Sequence, residues 1–331
     1  MPNMIKRRDF LKTTATTTAV VGASYWVSAS ASQTRGQSPN EKLNLALIGI
    51  GGRGGDNLRA VAKQNIVALC DVDEKRGAKG FEQFPNARRY HDFRKLFDEV
   101  ENEIDAVVIS TPDHTHFHPT YSAFERGKHV YLEKPLAHSV WEVRKLTDMA
   151  REKKLATQLG VQRHTLNGIR NAVALVQSGV IGAVKECHSW ISGDRGMPPI
   201  PKEPQPVPPH LKWDLWLGPA RERPYHETYC PYGWRFWWDF GTGETGNWGC
   251  HILDIPFWAL GLKYPTRVDA SGPEPHAQTT PKRMTTRFDF PAEGQRGPVT
   301  LHWYHGTPPI LGQLKLEERN FNNLFIGSDG M

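Results

Sequence analysis

The sequence predicts an α/β fold in two parts: a doubly wound parallel sheet, then a second α/β region whose sheet is more open and largely antiparallel. Three observations predict it. Through residues 43–160, short apolar runs alternate with helix-compatible stretches, the rhythm of a parallel sheet covered on both faces. A glycine cluster at Gly49, Gly51, Gly52 and Gly54 separates the first run from the first helical stretch. Further on the rhythm changes to strands of alternating polarity, with Met284, Thr286, Phe288 and Phe290 on one side and Val299, Leu301 and Trp303 on another, as in a sheet covered on one face.

Residues 43–48 and 66–70 are the first two apolar runs, and the second ends at Asp71. An apolar run, a glycine cluster, a helix and an acidic residue roughly 20 positions on form the pattern of a dinucleotide site. Gly49 lets the chain turn off the strand, Gly51 lets the backbone approach a pyrophosphate, and Gly54 lets the helix pack close to the sheet. Asp71 would accept hydrogen bonds from a ribose 2′-hydroxyl, which favours NAD; NADP stays open. Arg53, inside the turn, either reaches a phosphate or stands in solvent.

A short helix is expected over residues 92–97 and a buried strand over residues 105–110. The turn from Thr111 to His116 then opens a helix to about Arg126. The strand over residues 129–132 stops at Glu133, Lys134 and Pro135, because proline has no amide to donate and holds Lys134 extended. Ser139 and Glu142 have capping-box spacing, with Val143, Leu146 and Ala150 following on one helix face. Residues 155–160 supply the last strand of the first domain. In the second half a helix from about Asn167 ends at Gly179, followed by a proline-dense loop over residues 198–209. Nine of the eleven tryptophans lie between Trp190 and Trp303, as core or interface residues or as flat faces for a sugar ring.

At 331 residues the chain has room for two domains, and 38% apolar with 23% charged residues is a globular composition. No tract is long enough to span a membrane as a mature helix. The formal charge is +6, but residues 1–31 carry +3 of it through Lys6, Arg7, Arg8 and Lys12 against Asp9. The remainder is dispersed without a basic block, which argues against nucleic acid. Lys6-Arg7-Arg8-Asp9-Phe10-Leu11-Lys12, an apolar stretch to Val27 and Ala29-Ser30-Ala31 look like a twin-arginine export signal. The expected organisation is a signal over 1–31, a linker over 32–42, a cofactor domain over 43–160 and a substrate and oligomerisation domain over 161–331, in a periplasmic protein. Export in the folded state argues against a required disulfide among Cys70, Cys187, Cys230 and Cys250, whose spacings match no zinc module. His114, His116 and His118 lie two apart, a spacing that puts neighbours on different helix faces and disfavours a shared metal.

Together, Gly-Ile-Gly-Gly-Arg-Gly, Thr-Pro-Asp-His-Thr-His, Glu-Lys-Pro and Gly-Asn-Trp-Gly-Cys-His-Ile-Leu-Asp resemble the Gfo/Idh/MocA family of oxidoreductases, from about Leu43 to the end of the chain. The resemblance implies an N-terminal Rossmann domain, a C-terminal α/β domain whose sheet often supports homo-oligomers, and NAD(P)-dependent oxidation or reduction of a sugar or cyclitol hydroxyl. It makes Lys134 the active-site lysine and His251 the catalytic histidine, and it places Thr111, Pro112, His116 and Glu133 around the cofactor. The family's aspartate four residues before that histidine is here Asn247, which can position a group but cannot act as a general base. That departure keeps open a binding protein without turnover, and a second rival is a glycosidase that oxidises its sugar transiently and eliminates the aglycone, since the same lysine, histidine and nucleotide could serve it.

The chemistry follows from the residues as well. Hydride leaves a carbinol carbon only as the hydroxyl loses its proton, so the site needs a base and a donor to the developing alkoxide. His251 suits the first task and Lys134 the second. Asp254 either orients His251 or faces solvent, and Arg163, Tyr232 and Arg235 are candidate polar groups of the substrate pocket. The last residues read as a strand running into a turn with no strand after it. Against the resemblance, this makes the second domain incomplete.

Overall fold

The fold is organised around a six-stranded parallel sheet, seen in a computed structural model that describes residues 42–193, 195–317 and 321–331. The export signal and nearly all of the linker expected before residue 42 lie outside the described residues. In chain order the elements are β1 (Asn44–Ile48), α1 (Arg53–Ala60), β2 (Asn65–Cys70), α2 (Glu74–Gln83), β3 (Arg88–Tyr90), α3 (Phe93–Val100), β4 (Ala106–Ile109), α4 (Phe117–Glu125), β5 (His129–Glu133), α5 (Val140–Glu152) and β6 (Thr157–Gly160). The strands lie in the order β3-β2-β1-β4-β5-β6, so the order reverses between β1 and β4 and opens a crevice at their carboxyl ends.

Burial on both faces explains why these strands are continuously apolar. Leu45, Leu47, Leu69 and Val108 pack on one side with Leu58 and Phe81. Ala46, Ile48, Val107 and Ile109 pack on the other with Phe97, Phe124 and Leu146. The capping box forms as its spacing requires: Ser139 Oγ accepts from the Glu142 amide at 3.3 Å and Glu142 Oε2 accepts from the Ser139 amide at 2.8 Å.

A second sheet, β11-β7-β10-β9-β8, is built from β7 (Glu186–Ile191), β8 (Arg267–Ser271), β9 (Thr285–Phe290), β10 (Val299–His305) and β11 (Asn323–Ile326). Only the β7–β10 pair is parallel. One face is covered by α6 (Asn167–Gln177) and a helix, Asp254–Leu260, through Val173, Ile255, Ala259 and Phe257, which cluster with Leu301, Phe290 and Phe325 of the sheet. Strand β11, expected to end the chain without a partner after it, pairs antiparallel with the earlier β7, Leu324 opposite His188.

Between the sheets, residues 210–240 form an aromatic wall. Trp213, Trp216, Trp237, Tyr229 and Phe240 share one buried cluster with Val72, just past the end of β2. Backbone bonds fasten the wall there: Glu74 N donates to His210 O and Lys212 N to Val72 O, both at 2.9 Å. Trp213, Trp216, Trp234 and Trp237 are thus core residues, whereas Trp238 is exposed.

Candidate active site

A cleft of about 720 Å³ runs from the glycine turn, past the carboxyl ends of β1, β4 and β5, to the aromatic wall. Gly49, with φ of +78°, turns the chain off β1, and a Cβ there would lie 2.8 Å from Ser110 O. Gly54 sits in the first turn of α1, where a Cβ would come 2.0 Å from Gly49 O. Gly51, Gly52 and Arg53 line the cleft. At the end of β2, Asp71 Oδ2 accepts from the Ile50 and Gly51 amides at 2.9 and 3.1 Å, and Oδ1 from the Asp73 amide at 2.9 Å. Burial pushes its carboxyl above the ordinary value, and those amides oppose the rise.

Arg53, nearly half exposed, reaches Glu133 Oε1 at 3.4 Å and Asn57 Oδ1 at 3.2 Å. Glu133 is the hub of this corner, accepting from Asn57 Nδ2 at 2.8 Å and from Gln162 Nε2 at 2.6 and 2.7 Å. Thr111 and Pro112 form the facing wall. His116, expected in that wall, is buried behind it: its ring nitrogens lie 2.8 Å from Thr111 O and 2.6 Å from Pro135 O, joining the two segments that carry the wall. His114 is also buried, its Nε2 3.0 Å from Trp216 O, and burial lowers its pKa to about 3.

Lys134 leaves the end of β5 and enters the cleft, where Nζ donates to Asn247 O at 2.6 Å, with Asn247 Oδ1 at 3.4 Å. Asn247 belongs to a π-helical turn, Thr245–Gly249, a rare geometry found mostly at functional sites. Burial lowers the Lys134 pKa, opposed chiefly by the Asp113 carboxylate. His251 follows in the next helical turn, half-buried and set back from the cleft lining. Burial, then the positive charges of Lys134 and Arg163, hold it at about 4, and its Nδ1 is buried without a hydrogen-bond partner.

The remaining candidates divide. Tyr232 and Arg235 line the cleft, with the Arg235 guanidinium 4.4 Å from the Tyr232 ring centre and 4.2 Å from that of Trp234. Arg163 is not in the lining; it lies over Trp248 at 5.8 Å, on the His251 side. Asp254, left open between orienting His251 and facing solvent, bonds His164 at 2.7 Å. Asp113 and Arg76 also line the cleft, although no motif in the sequence marks them as site residues. Asp113 is buried, lines the cleft and accepts from Thr242 Oγ1 at 2.7 Å. Its place just past β4 was a usable signal, since ligands bind outside the carboxyl ends of such strands.

Two family models match the chain in succession: the NAD-binding Rossmann fold of the Gfo/Idh/MocA oxidoreductases over residues 43–161, and the family's C-terminal alpha/beta domain over residues 187–293. The chain belongs to the Gfo/Idh/MocA oxidoreductase family. Its first sheet is accordingly an NAD-binding Rossmann domain. Among curated Gfo/Idh/MocA relatives, inositol 2-dehydrogenase 2 of Saccharopolyspora erythraea is 30% identical over 47% of each chain. The 2,7-anhydro-N-acetylneuraminate hydratase of Escherichia coli is 26% identical over 46% of this chain and 40% of its own. The chain thus spans about half or less of the length of these relatives. An inositol dehydrogenase homologue from Azotobacter vinelandii, solved with NADH and myo-inositol, superposes with a TM-score of 0.59 at 20% identity, covering 87% of this chain and 69% of its own. The WlbA dehydrogenase of Bordetella pertussis, solved with NADH and UDP-GlcNAcA, gives 0.61 at 17% identity, covering 81% and 72%. At these identities the superpositions establish the fold.

Proposed function

We propose that this chain is an exported oxidoreductase that moves hydride between a tightly held NAD and a secondary hydroxyl or keto group of a sugar or cyclitol. In this reading residues 1–31 are the twin-arginine signal, 43–160 hold the cofactor, and 161–331 hold the substrate and join copies of the chain. The observation that carries it is Lys134, desolvated in the cleft that starts in the glycine turn and bonded to Asn247, with His251 in the next helical turn close enough for its charge to be felt.

The cleft fits the cofactor, because the absence of side chains at Gly49 and Gly54 lets turn, strand end and helix pack backbone to backbone, which leaves Gly51, Gly52 and the start of α1 lining the cleft for a pyrophosphate. Asp71, Arg53, Thr111 and Pro112 would hold it, and NAD when bound supplies the hydride acceptor. Lys134 would then donate a hydrogen bond to the substrate oxygen and stabilise the alkoxide. His251, neutral at pH 7, would take the hydroxyl proton. Tyr232 and Arg235 would bind the rest of the sugar, with Arg235 held rigid between two rings.

The test is to denature the protein, purified without added nucleotide, and assay the supernatant. Near-stoichiometric NAD is expected, and Lys134→Ala should keep the nucleotide while losing roughly 10²- to 10⁴-fold in turnover. An empty protein that also fails to bind added NAD would overturn the reading. The hydratase among the relatives favours a second reading, transient oxidation followed by elimination and return of the hydride. A leaving group released from a glycoside without accumulation of NADH would establish that one.

A further inference from the structure

On the face of the second sheet opposite α6 and the 254–260 helix, three side chains that the cleft does not use come together. Residues two apart on a strand share a face, and neighbouring strands lie about 4.8 Å apart. The β7–β10 register sets His188 directly opposite His302, with Glu186 two residues before His188 on the same face. Glu186 Oε1 lies 3.1 Å from His188 Nε2 and 3.1 Å from His302 Nε2, and one ligand atom from each of the three residues lies within 4.8 Å of the others. The imidazoles stack at 4.9 Å with 8° between their planes.

His188 is 3% exposed, and its Nε2 faces the Glu186 carboxylate. Its other nitrogen is occupied: Nδ1 lies 2.9 Å from the Tyr304 hydroxyl, two residues along β10 from His302. A ring held at Nδ1, with its buried Nε2 turned together with that of His302 to one carboxylate, is the arrangement of a metal ligand fixed from behind. We propose that Glu186, His188 and His302 bind a divalent transition-metal ion.

Two imidazoles and one carboxylate form the donor set suited to zinc and its neighbours rather than to magnesium or calcium. Metal–ligand distances near 2.1 Å around a tetrahedral ion put ligand atoms roughly 3.4 Å apart, close to the separations seen from Glu186. The stacked rings need only splay about χ2, a broad torsion, to aim both lone pairs at one point. Glu186 and His302 remain partly exposed, which leaves a path for the ion and a coordination position for water. None of the three lines the cofactor cleft, so the site stands or falls apart from the proposed activity.

The experiment uses the full chain, free of any affinity tag and stripped with a chelator, titrated with Zn²⁺ by calorimetry and with Co²⁺ by visible absorption. One ion per chain and a tetrahedral cobalt spectrum are expected. His302→Gln and Glu186→Gln, partly exposed positions that leave the core intact, should each weaken binding by at least about tenfold, and Tyr304→Phe by about tenfold through its hold on His188. Zn²⁺ should raise the melting temperature of the native chain and leave that of His302→Gln unchanged. Absence of stoichiometric binding would overturn the proposal, and so would binding that survives both ligand substitutions, because the ion would then sit elsewhere.

Discussion

His251 and Lys134 differ in how far their chemistry could be read from the residues alone. Lys134 was legible because Pro135 ends β5 and a strand end at the crevice is where ligands bind. The roles of Asp113 and Arg163 were not, because they depend on charges brought together from distant segments: Asp113 raises Lys134, and Arg163 helps lower His251. With a pKa of about 4 against the ordinary 6.5, His251 is neutral over most of the acid range. The acid limb of kcat/KM should therefore lie near pH 4, and His251→Asn should abolish it; a limb near 6.5 would refute the role. Stability moves the same way. Between pH 6.5 and 4 the unfolded chain binds a proton at this position that the folded chain does not, so stability falls as pH falls. His114, at about 3, extends the loss further, and melting temperatures at pH 7, 6 and 5 will measure it. Asn247 offers a separate check. Asn247→Asp puts a carboxylate beside the Lys134 ammonium and should move the alkaline limb of the pH profile upward by about one unit. An unmoved limb would mean that the position 247 side chain does not act on Lys134.

Among the elements, those built from local rules were the legible ones. The capping box of α5 and the apolar runs of β1, β2 and β4 carry their own patterns, and both formed where the patterns lie. Pairing of β11 with β7 was not legible, since it joins Leu324 to His188 and no turn connects the two strands. The glycine turn tests how strictly a local rule is enforced. In Gly54→Ala the new Cβ would meet the main chain of Gly49, at 2.0 Å from O and 2.7 Å from C. Backbone cannot give way as a flexible side chain can, so a loss of about 1–3 kcal/mol is expected, with failure to retain nucleotide. Gly168, in the first turn of α6, has no neighbour within 4 Å of its missing Cβ, and Gly168→Ala should be neutral or stabilising by up to about 1 kcal/mol. Denaturant midpoints of the two variants give the comparison. Equal effects would show that the close approach at Gly54 does not constrain the turn.

For the molecule as a whole, the aromatic wall decides whether the two sheets act together. Its density of tryptophan was plain in the sequence, but its location was not, because the bonds from Lys212 to Val72 and from Glu74 to His210 obey no periodicity. Those bonds, with His114 N donating to Phe240 O at 3.2 Å, tie the wall to the Rossmann sheet, and residues 42–331 form one compact unit. Trp216 lies at the centre: its ring stacks on Trp213 at 4.9 Å, meets Phe240 edge-on at 4.9 Å and reaches His114 at 5.1 Å. It also lines the cleft, so one side chain serves both core and site. A single thermal transition is expected, and NAD at a hundredfold its dissociation constant should raise the stability of the whole by about 2.7 kcal/mol. Trp216→Ala should cost about 3–5 kcal/mol by opening a cavity at that junction. If the wall couples the sheets, calorimetry of Trp216→Ala will resolve two transitions, with NAD moving only the Rossmann one. A variant that still melts in one step, shifted entirely by NAD, would place the coupling elsewhere than in the wall.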